Sequence, residues 1–345
     1  MATKPKGSIS ELRQDLVSGD WVVIATGRAK RPHAFAGKPA TLKQSRAQCP
    51  ADFERPFDKK HPPLLRYDYD ATQDKRTGWA VVVKQNRYPA FAKGVCKFFS
   101  KEGPYTLTAG VGFHELFILR DHGKFIPDLT GREMAMLVRA YRDRYTFVAD
   151  QECIEYVSVF HNHGREAGSS VSHLHSQLIG LPVIPPDVFK SIRGSERYFD
   201  MHQKCVHCVM VAHEARAKKR VIYENKEFIV FVPFVSRIAF EVRIFPKIHS
   251  SNFRTLTDEN IPLLADALQT VIRTLHRGLN DPAFNFFIHT SPAQDHHHHY
   301  HWHMEIIPKT SVWAGFELGT GIEISSIAPE NAAKFLRSVK LKTKS

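Results

Sequence analysis

Two stretches of the chain repeat apolar positions at three- and four-residue steps, the spacing of one helical face. In "LTGREMAMLVRAYRDRYTFV" the stripe is Met134, Leu137, Val138, Tyr141, Tyr145 and Val148. Thr130 and Glu133 stand just ahead of it in a capping-box pattern. In "TLTDENIPLLADALQTVIRTLHRGLNDP" the stripe is Ile261, Leu264, Leu268, Val271 and Leu275. Thr257 is positioned to cap this second helix, and Gly278 and Pro282 supply stop signals. After each helix comes a short β-rich run, "IEYVSVFH" ending at His161 and "FNFFIH" ending at His289.

Twelve residues beyond each of those histidines stands an H-x-H: His173-Leu174-His175 and His301-Trp302-His303. Ahead of each helix lies a strand-like stretch with another histidine, His114 in "GVGFHELFIL" and His249 in "VRIFPKIHSS". Ahead of those again are "CPAD" at 49–52 and "CVHC" at 205–208. One order thus occurs twice, which predicts a duplicated α+β unit. The seam falls near residues 186–200, giving halves 1–193 and 194–345. Residues 33–48 and 54–63, rich in Pro, Lys and small polar residues, read as loops.

Composition narrows the class. The 345 residues, 43% hydrophobic and 24% charged, suit a soluble globular protein. The first ten residues, "MATKPKGSIS", lack the apolar core of a signal peptide, so the expected compartment is the cytoplasm. Five cysteines, two of them in "CVHC", suit a reduced interior and metal binding better than a disulfide framework. A net charge of +13 favours anionic partners such as nucleotides, phosphosugars or nucleic acid. A zinc-bearing nucleic-acid-binding protein would interleave basic residues with aromatics on one face. The lysines here are instead scattered in tails and loops, as in "KLKTKS".

On a strand, His173, His175 and Gln177 would share one face. Just upstream, "NHGREAGSS" offers Gly164, Gly168, Ser169 and Ser170, which allow close backbone approach and donate hydrogen bonds as a phosphate needs. Cys205, Cys208, His249 and His301 would complete a tetrahedral zinc set drawn from separated strands. The first half offers Cys49, Asp52, His114 and His173, a second set with a carboxylate for one thiolate, or else a site that has lost its metal.

With these motifs in hand, the chain resembles the galactose-1-phosphate uridylyltransferase family of the histidine-triad superfamily, nearest the branch with ADP-glucose phosphorylase-like proteins. The resemblance runs nearly end to end, through "ELRQDLVSGDWVVIATGRAKRP", "QNRYPAF", "GFHE", "NHGREAGSSVSHLHSQLIGLPVIP", "CVHC", "FPKIHSS", "HWHMEIIP" and "GFELGTG". It implies an α+β fold of two duplicated histidine-triad-like units, each an antiparallel sheet with packed helices. It also implies ping-pong nucleotidyl transfer through a nucleotidyl-histidine. His175 matches the nucleophile, His173 a metal ligand, and Gln177 the side chain that bonds the transferred phosphoryl group. Asn162, Gly168 and Ser170 match positions lining the phosphates. Arg28 and Arg31 match a nucleotide-contacting motif, and Asn86 a base-contacting position. Phe316 and Glu317 match the hexose-contacting segment, which in the family completes the site of a partner subunit and so implies a homodimer.

The activity expected first is hexose-1-phosphate uridylyl transfer, between a nucleotide sugar and a hexose 1-phosphate. The alternative is a nucleotide-sugar phosphorylase in which inorganic phosphate attacks the nucleotidyl-histidine. Two departures bear on this. Ser311 stands where bacterial uridylyltransferases have a lysine, and Glu305 stands in the second half where the first has Gln177. A carboxylate there repels a phosphate, so the second copy reads as structural. His296 to His299 read as a loop without an assigned role.

Overall fold

Alternation of buried and half-buried side chains along Tyr156–His163 and His175–Leu181 sets which face those strands turn toward the helices. The computed structural model describes residues 10–28, 39–41, 49, 62–70, 72, 75–96, 99–294 and 297–341. Of the two stretches read as loops, only 39–41 and 62–63 fall within these.

The chain begins with β1 (Glu11–Gln14) and β2 (Trp21–Ile24). β3 (Leu65–Asp68), β4 (Trp79–Gln85), a small hairpin of β5 (Ser100–Glu102) and β6 (Tyr105–Leu107), and β7 (Phe113–Leu119) follow. Next come helix α1 (Gly131–Ala149), β8 (Tyr156–His163), β9 (His175–Leu181), α2 (Pro186–His202) and α3 (Val206–Ala217). The second half holds β10 (Val221–Glu224), β11 (Phe228–Phe231), β12 (Val242–Pro246), α4 (Ile261–Gly278), β13 (Phe284–His289) and β14 (His303–Pro308). It ends with α5 (Gly315–Thr320), β15 (Glu323–Ser325) and α6 (Pro329–Ser338).

Ten strands form one sheet in the order β10-β11-β12-β14-β13-β8-β9-β7-β4-β3, and every neighbouring pair in it is antiparallel. The two halves join where β13 pairs with β8, Asn285 opposite Asn162 and Phe287 opposite Phe160. The fold is therefore α+β, as the repeated pattern predicts. α1 covers the first half's strands, α4 covers the second half's, and the two helices lie against each other. Their stripes, including Leu137, Tyr141, Leu264 and Leu268, join Phe117, Val159, Leu178, Ile244 and Ile306 in one buried core.

Three particulars differ from expectation. α4 starts at Ile261 with Asn260 as its cap residue, not at Thr257. Pro262 explains the shift, because a proline is best tolerated in the first turn, where its missing N–H has no partner to lose. Residues 11–24 pack with the second half: β2 pairs parallel with β15, and the Arg13 guanidinium grips Glu330 at 3.1 Å. Finally, Cys96 and Cys153 form a disulfide, so the cysteines are not all free thiols. Cys49, Cys205 and Cys208 are not in this disulfide. Among the described residues no helix is long and apolar enough to cross a membrane.

Glu133 shows how the cap becomes tertiary structure. Its fully buried carboxylate accepts from the Thr130 N–H at 2.8 Å, from Arg76 at 2.6 Å and from Lys124 at 3.0 Å. Burial alone raises its pKa, but the Thr130, Lys124 and Arg76 hydrogen bonds outweigh that and bring it to about 2. A depressed carboxyl pKa adds stability above the unfolded value and loses it as pH falls toward the folded one. Glu133→Ala should destabilise the protein by roughly 1–3 kcal/mol, because it strips the Thr130 N–H of its acceptor while Arg76 and Lys124 keep Asp121 as a partner. Urea titrations at pH 7 and near pH 2 check this, and the difference between wild type and variant should shrink across that interval.

Candidate active site and metal centres

The catalytic candidates sit where β8 ends and β9 begins. His175 is the first residue of β9, while His173 precedes the strand in a bend. The two histidines therefore do not share a strand face as the alternation had predicted. The His173 ring is buried and turns away toward Leu119, whose carbonyl accepts from its Nε2–H. That bond leaves the lone pair of Nδ1 pointing at the Cys49 thiol, 4.0 Å away.

His175 takes the opposite tautomer role at its own site. Its Nδ1–H donates to the carbonyl of His173 at 2.8 Å, so Nε2 keeps a free lone pair. The carbonyl of His175 in turn accepts from Nδ1–H of His161 at 3.0 Å. Behind it, Ser176 Oγ lies 3.1 Å from the same nitrogen and 2.6 Å from the Tyr141 hydroxyl. Burial lowers the pKa of His175 and pushes His161 well below its ordinary value, so both rings are neutral near pH 7. The result is a neutral, half-buried imidazole held through Nδ1, on a backbone whose own carbonyl is held by His161.

Gln177 lies two residues further along the same strand, on the open face opposite Phe160 of β8. Its orientation is dictated by His114. The Ala90 N–H donates to His114 Nδ1 at 3.1 Å, which forces the ring proton onto Nε2. That Nε2–H then donates to Gln177 Oε1 at 2.8 Å. With its oxygen engaged, Gln177 is left with its NH2 group to donate. His114 was expected among the metal ligands, and this arrangement corrects that reading. As the second residue of β7, it faces Gln177 across the sheet. His122, in the bend after β7, stands with Cys49 and His173 instead.

The loop 164–170 borders the same crevice as His175. Gly164 and Gly168 both have positive φ, and a Cβ on Gly164 would meet Ala40 at 2.7 Å, so this turn needs glycine. Ser170 is exposed at its end. Asn162 is fixed by a residue the motif reading missed: Asn285 donates to its Oδ1 and to the Ala167 carbonyl, each at 2.8 Å. Asn86 lies beside His114, its amide nitrogen 3.1 Å from Nε2. Phe316 and Glu317 are on exposed α5, where the Glu317 carboxylate caps the Ala314 N–H. Arg31, Asp52 and His296 lie outside the described residues, as does the side chain of Arg28.

The second half brings Cys205, Cys208, His249 and His301 together, with one ligand atom from each inside a 4.8 Å cluster. Cys208 Sγ is 3.2 Å from His249 Nδ1 and 3.5 Å from His301 Nδ1. The hydrogen bond from Cys208 favours the thiolate of Cys205, which also stands at the N-terminus of α3. Two sulfurs and two imidazole nitrogens at this spacing fit a closed tetrahedral zinc centre. Cys49, His122 and His173 form a second, three-membered group. His298 lines the crevice opening on Cys205, Cys208 and His249, which gives part of the histidine tract a location.

A third group, His289, His303 and Glu305, is the counterpart of the catalytic set. His303 repeats the backbone clamp, with Nδ1–H donating to the His301 carbonyl at 3.1 Å. Here, however, Glu305 Oε1 lies 3.4 Å from Nε2. Arg243 at 3.2 Å and Arg237 neutralise that carboxylate, an environment that disfavours a further cation.

Comparison with known proteins adds a common ancestry to this geometry. A family model described as "Galactose-1-phosphate uridyl transferase, N-terminal domain" matches residues 2–185, and one described as a domain of unknown function (DUF4921) matches 119–343. ADP-glucose phosphorylase of Arabidopsis thaliana is 35% identical over 338 residues, covering 96% of this chain and 93% of the relative. Galactose-1-phosphate uridylyltransferase of Thermotoga maritima is 26% identical over 346 residues, covering 96% and 99%. Among solved structures, the Arabidopsis thaliana ADP-glucose phosphorylase with bound ADP-glucose superposes with a TM-score of 0.77 at 33% identity, covering 96% of this chain and 100% of that one.

The metal clusters can be checked by elemental analysis of purified protein. Cys205→Ser should remove most of one zinc per chain. His122→Asn should lower the remaining metal, while His114→Asn should leave it unchanged. Loss of metal in His114→Asn but not in His122→Asn would return the ligand role to His114.

Proposed function

The chain belongs to the galactose-1-phosphate uridylyltransferase family, and on that premise we propose that it transfers a nucleotidyl group from a nucleotide sugar through a covalent intermediate on His175. The observation that carries this reading is the His173 carbonyl, which holds the Nδ1 proton of His175 and leaves Nε2 free. In the first half-reaction the Nε2 lone pair attacks the α-phosphorus. The P–O bond to the sugar phosphate breaks, and that oxygen departs with the electron pair. In the second, an acceptor phosphate oxygen attacks the same phosphorus and the N–P electron pair returns to Nε2. The leaving oxygen belongs to a phosphate and needs little protonation. Gln177 NH2 and the 164–170 loop are positioned for the charge on the non-bridging oxygens.

Arg28 and Arg31 complete the proposed nucleotide contacts, Asn86 the base contact, and Gly168 and Ser170 the phosphate contacts. For the hexose we propose Phe316 and Glu317 of a partner subunit. Val312, Phe316 and Leu318 are 89%, 50% and 74% exposed, an apolar edge suited to burial in a homodimer. Zinc bound by Cys205, Cys208, His249 and His301 would supply a structural cross-link between α3 and the sheet. The cytoplasm remains the proposed compartment; the Cys205 and Cys208 thiols suit it, and the Cys96–Cys153 disulfide does not.

Hexose-1-phosphate uridylyl transfer is the first reading for donor and acceptor. The second is phosphorolysis of a nucleotide sugar, favoured by the 35% identity to a protein named ADP-glucose phosphorylase. A panel of UDP- and ADP-sugars offered with hexose 1-phosphates or inorganic phosphate separates them. His175→Asn should abolish turnover on every productive pair while keeping its zinc, whereas no turnover by wild type on any pair would refute the proposal.

Gln177 and His114 should act as one unit. Gln177→Ala should slow transfer by about 10²-fold, the order lost with one transition-state donor. His114→Ala should slow it in the wild-type background but add little in the Gln177→Ala background. Rate measurements on the two single variants and the double variant check this, and full additivity would mean that His114 works elsewhere.

A further inference from the structure

The disulfide between Cys96 and Cys153 joins positions 57 residues apart, with Cα atoms 5.8 Å from each other, inside the usual span of the bond. Cys96 lies in the loop that follows β4, and Cys153 in the turn between α1 and β8. The loop carries Asn86 and Ala90, and through them it touches His114. The Asn86 N–H donates to the His114 carbonyl at 2.8 Å, and the Ala90 N–H donates to His114 Nδ1 at 3.1 Å. That second bond sets the tautomer of His114, whose Nε2–H holds Gln177 Oε1 at 2.8 Å. The orientation of Gln177 thus depends on where this loop sits.

The rest of the loop is held lightly. The Ala92 N–H donates to the Gly110 carbonyl at 3.3 Å, and the Ala92 carbonyl accepts from Gly112 at 2.9 Å. The Lys93 ammonium stands 5.6 Å over the Phe113 ring. Phe91 is half-buried, while Ala92, Lys93, Gly94, Val95 and Cys96 are all exposed. A segment with so little buried apolar surface opens locally at small cost, so a covalent tether at Cys96 limits that opening. The far end of the tether is firmer. Ile154, next to Cys153, is buried beside Gly180 of β9.

Exposure also makes the bond reactive. Cys96 is exposed and Cys153 half-buried, so a thiolate from solution can reach the Cys96 side. Disulfides in a compartment that keeps other thiols reduced are usually transient and redox-sensing.

We propose that Cys96 and Cys153 are a thiol–disulfide exchange site for a dithiol reductant, and that their oxidation state sets how firmly His114 holds Gln177. This deepens the transfer reading and rests on it. A thiolate of the reductant attacks Cys96 Sγ, the Cys96–Cys153 bond breaks, and Cys153 leaves with the electron pair and takes up a proton. The reductant's second thiolate then attacks its own first sulfur in the mixed disulfide. Cys96 departs as a thiolate and is protonated, and the reductant ends as a disulfide. Two electrons pass to the protein, and an oxidised dithiol reverses the sequence.

The test uses full-length, zinc-loaded protein equilibrated with mixtures of reduced and oxidised dithiothreitol, its thiols located by alkylation and peptide mass spectrometry. Wild type should carry the linked Cys96–Cys153 peptide in oxidising mixtures and lose it in reducing ones. Transfer by the reduced form should be about tenfold slower, short of the roughly 10²-fold lost with the Gln177 donor itself. Cys96→Ser should match the reduced form in every mixture, which separates the tether from any effect on Cys205 and Cys208. Gln177→Ala should be slow but insensitive to the mixture. Spectra of ¹⁵N-labelled histidine, which need no turnover, should show the His114 proton fixed on Nε2 in the oxidised form and averaged over both nitrogens in the reduced form. Absence of the linked peptide from every mixture overturns the exchange site. Identical His114 spectra in the two forms overturn it as well, and so does a wild type that transfers equally fast in both. A wild type that transfers nothing in either form counts against the catalytic reading alone, because the His114 spectra still decide the tether.

Discussion

The proposed chemistry depends on a single backbone hydrogen bond, from His175 Nδ1–H to the carbonyl of His173. An imidazole has one proton for two nitrogens when neutral, so fixing it on Nδ1 makes Nε2 a base and a nucleophile. The bond can form only because His173 sits outside the strand, in the bend that precedes β9. That bend is held by His173's own bond to Leu119 and by its approach to Cys49. The Cys49, His122 and His173 group and the proposed nucleophile are thus linked through two residues of backbone.

The duplicated half shows which parts of the arrangement are scaffold and which are chemistry. Both copies clamp the second histidine of the H-x-H to the carbonyl of the first. They part company two residues later. In the first, the amide of Gln177 is turned by His114 so that its donor end is free. In the second, Glu305 fills the equivalent place and is itself held by Arg237 and Arg243. Burial lowers the pKa of both His289 and His303 to about 4, so both rings are neutral near pH 7. One repeated design thus carries the proposed nucleophile on one side of the seam and an ion-paired cluster on the other.

Much of this was legible in the sequence, for identifiable reasons. Helix periodicity located α1 and α4 because each has one broad apolar face, and Thr130 with Glu133 marked a cap that exists. The Cys205, Cys208, His249 and His301 group could be read from ligand type alone. What failed was direction. The period-two rule put His173 and His175 on one face, but a residue before a strand need not follow its pleat. The same rule, applied to His114 within β7, would have separated it from Cys49 and pointed to His122 beyond the strand end. Asn285 left no motif, since its part is to fix Asn162 across the seam. Cys96 and Cys153 meet through the tertiary fold, and no spacing rule joins residues 57 apart.

The central claim is that His175 attacks through Nε2 because its other nitrogen is committed to the backbone. The most direct measurement is made on protein labelled with ¹⁵N in histidine, treated with the productive nucleotide sugar, and quenched in base before acceptor is added. The account predicts one phosphorus per chain, with a one-bond ³¹P–¹⁵N coupling to Nε2 of His175. Phosphorus on Nδ1, or on a different histidine, would contradict it.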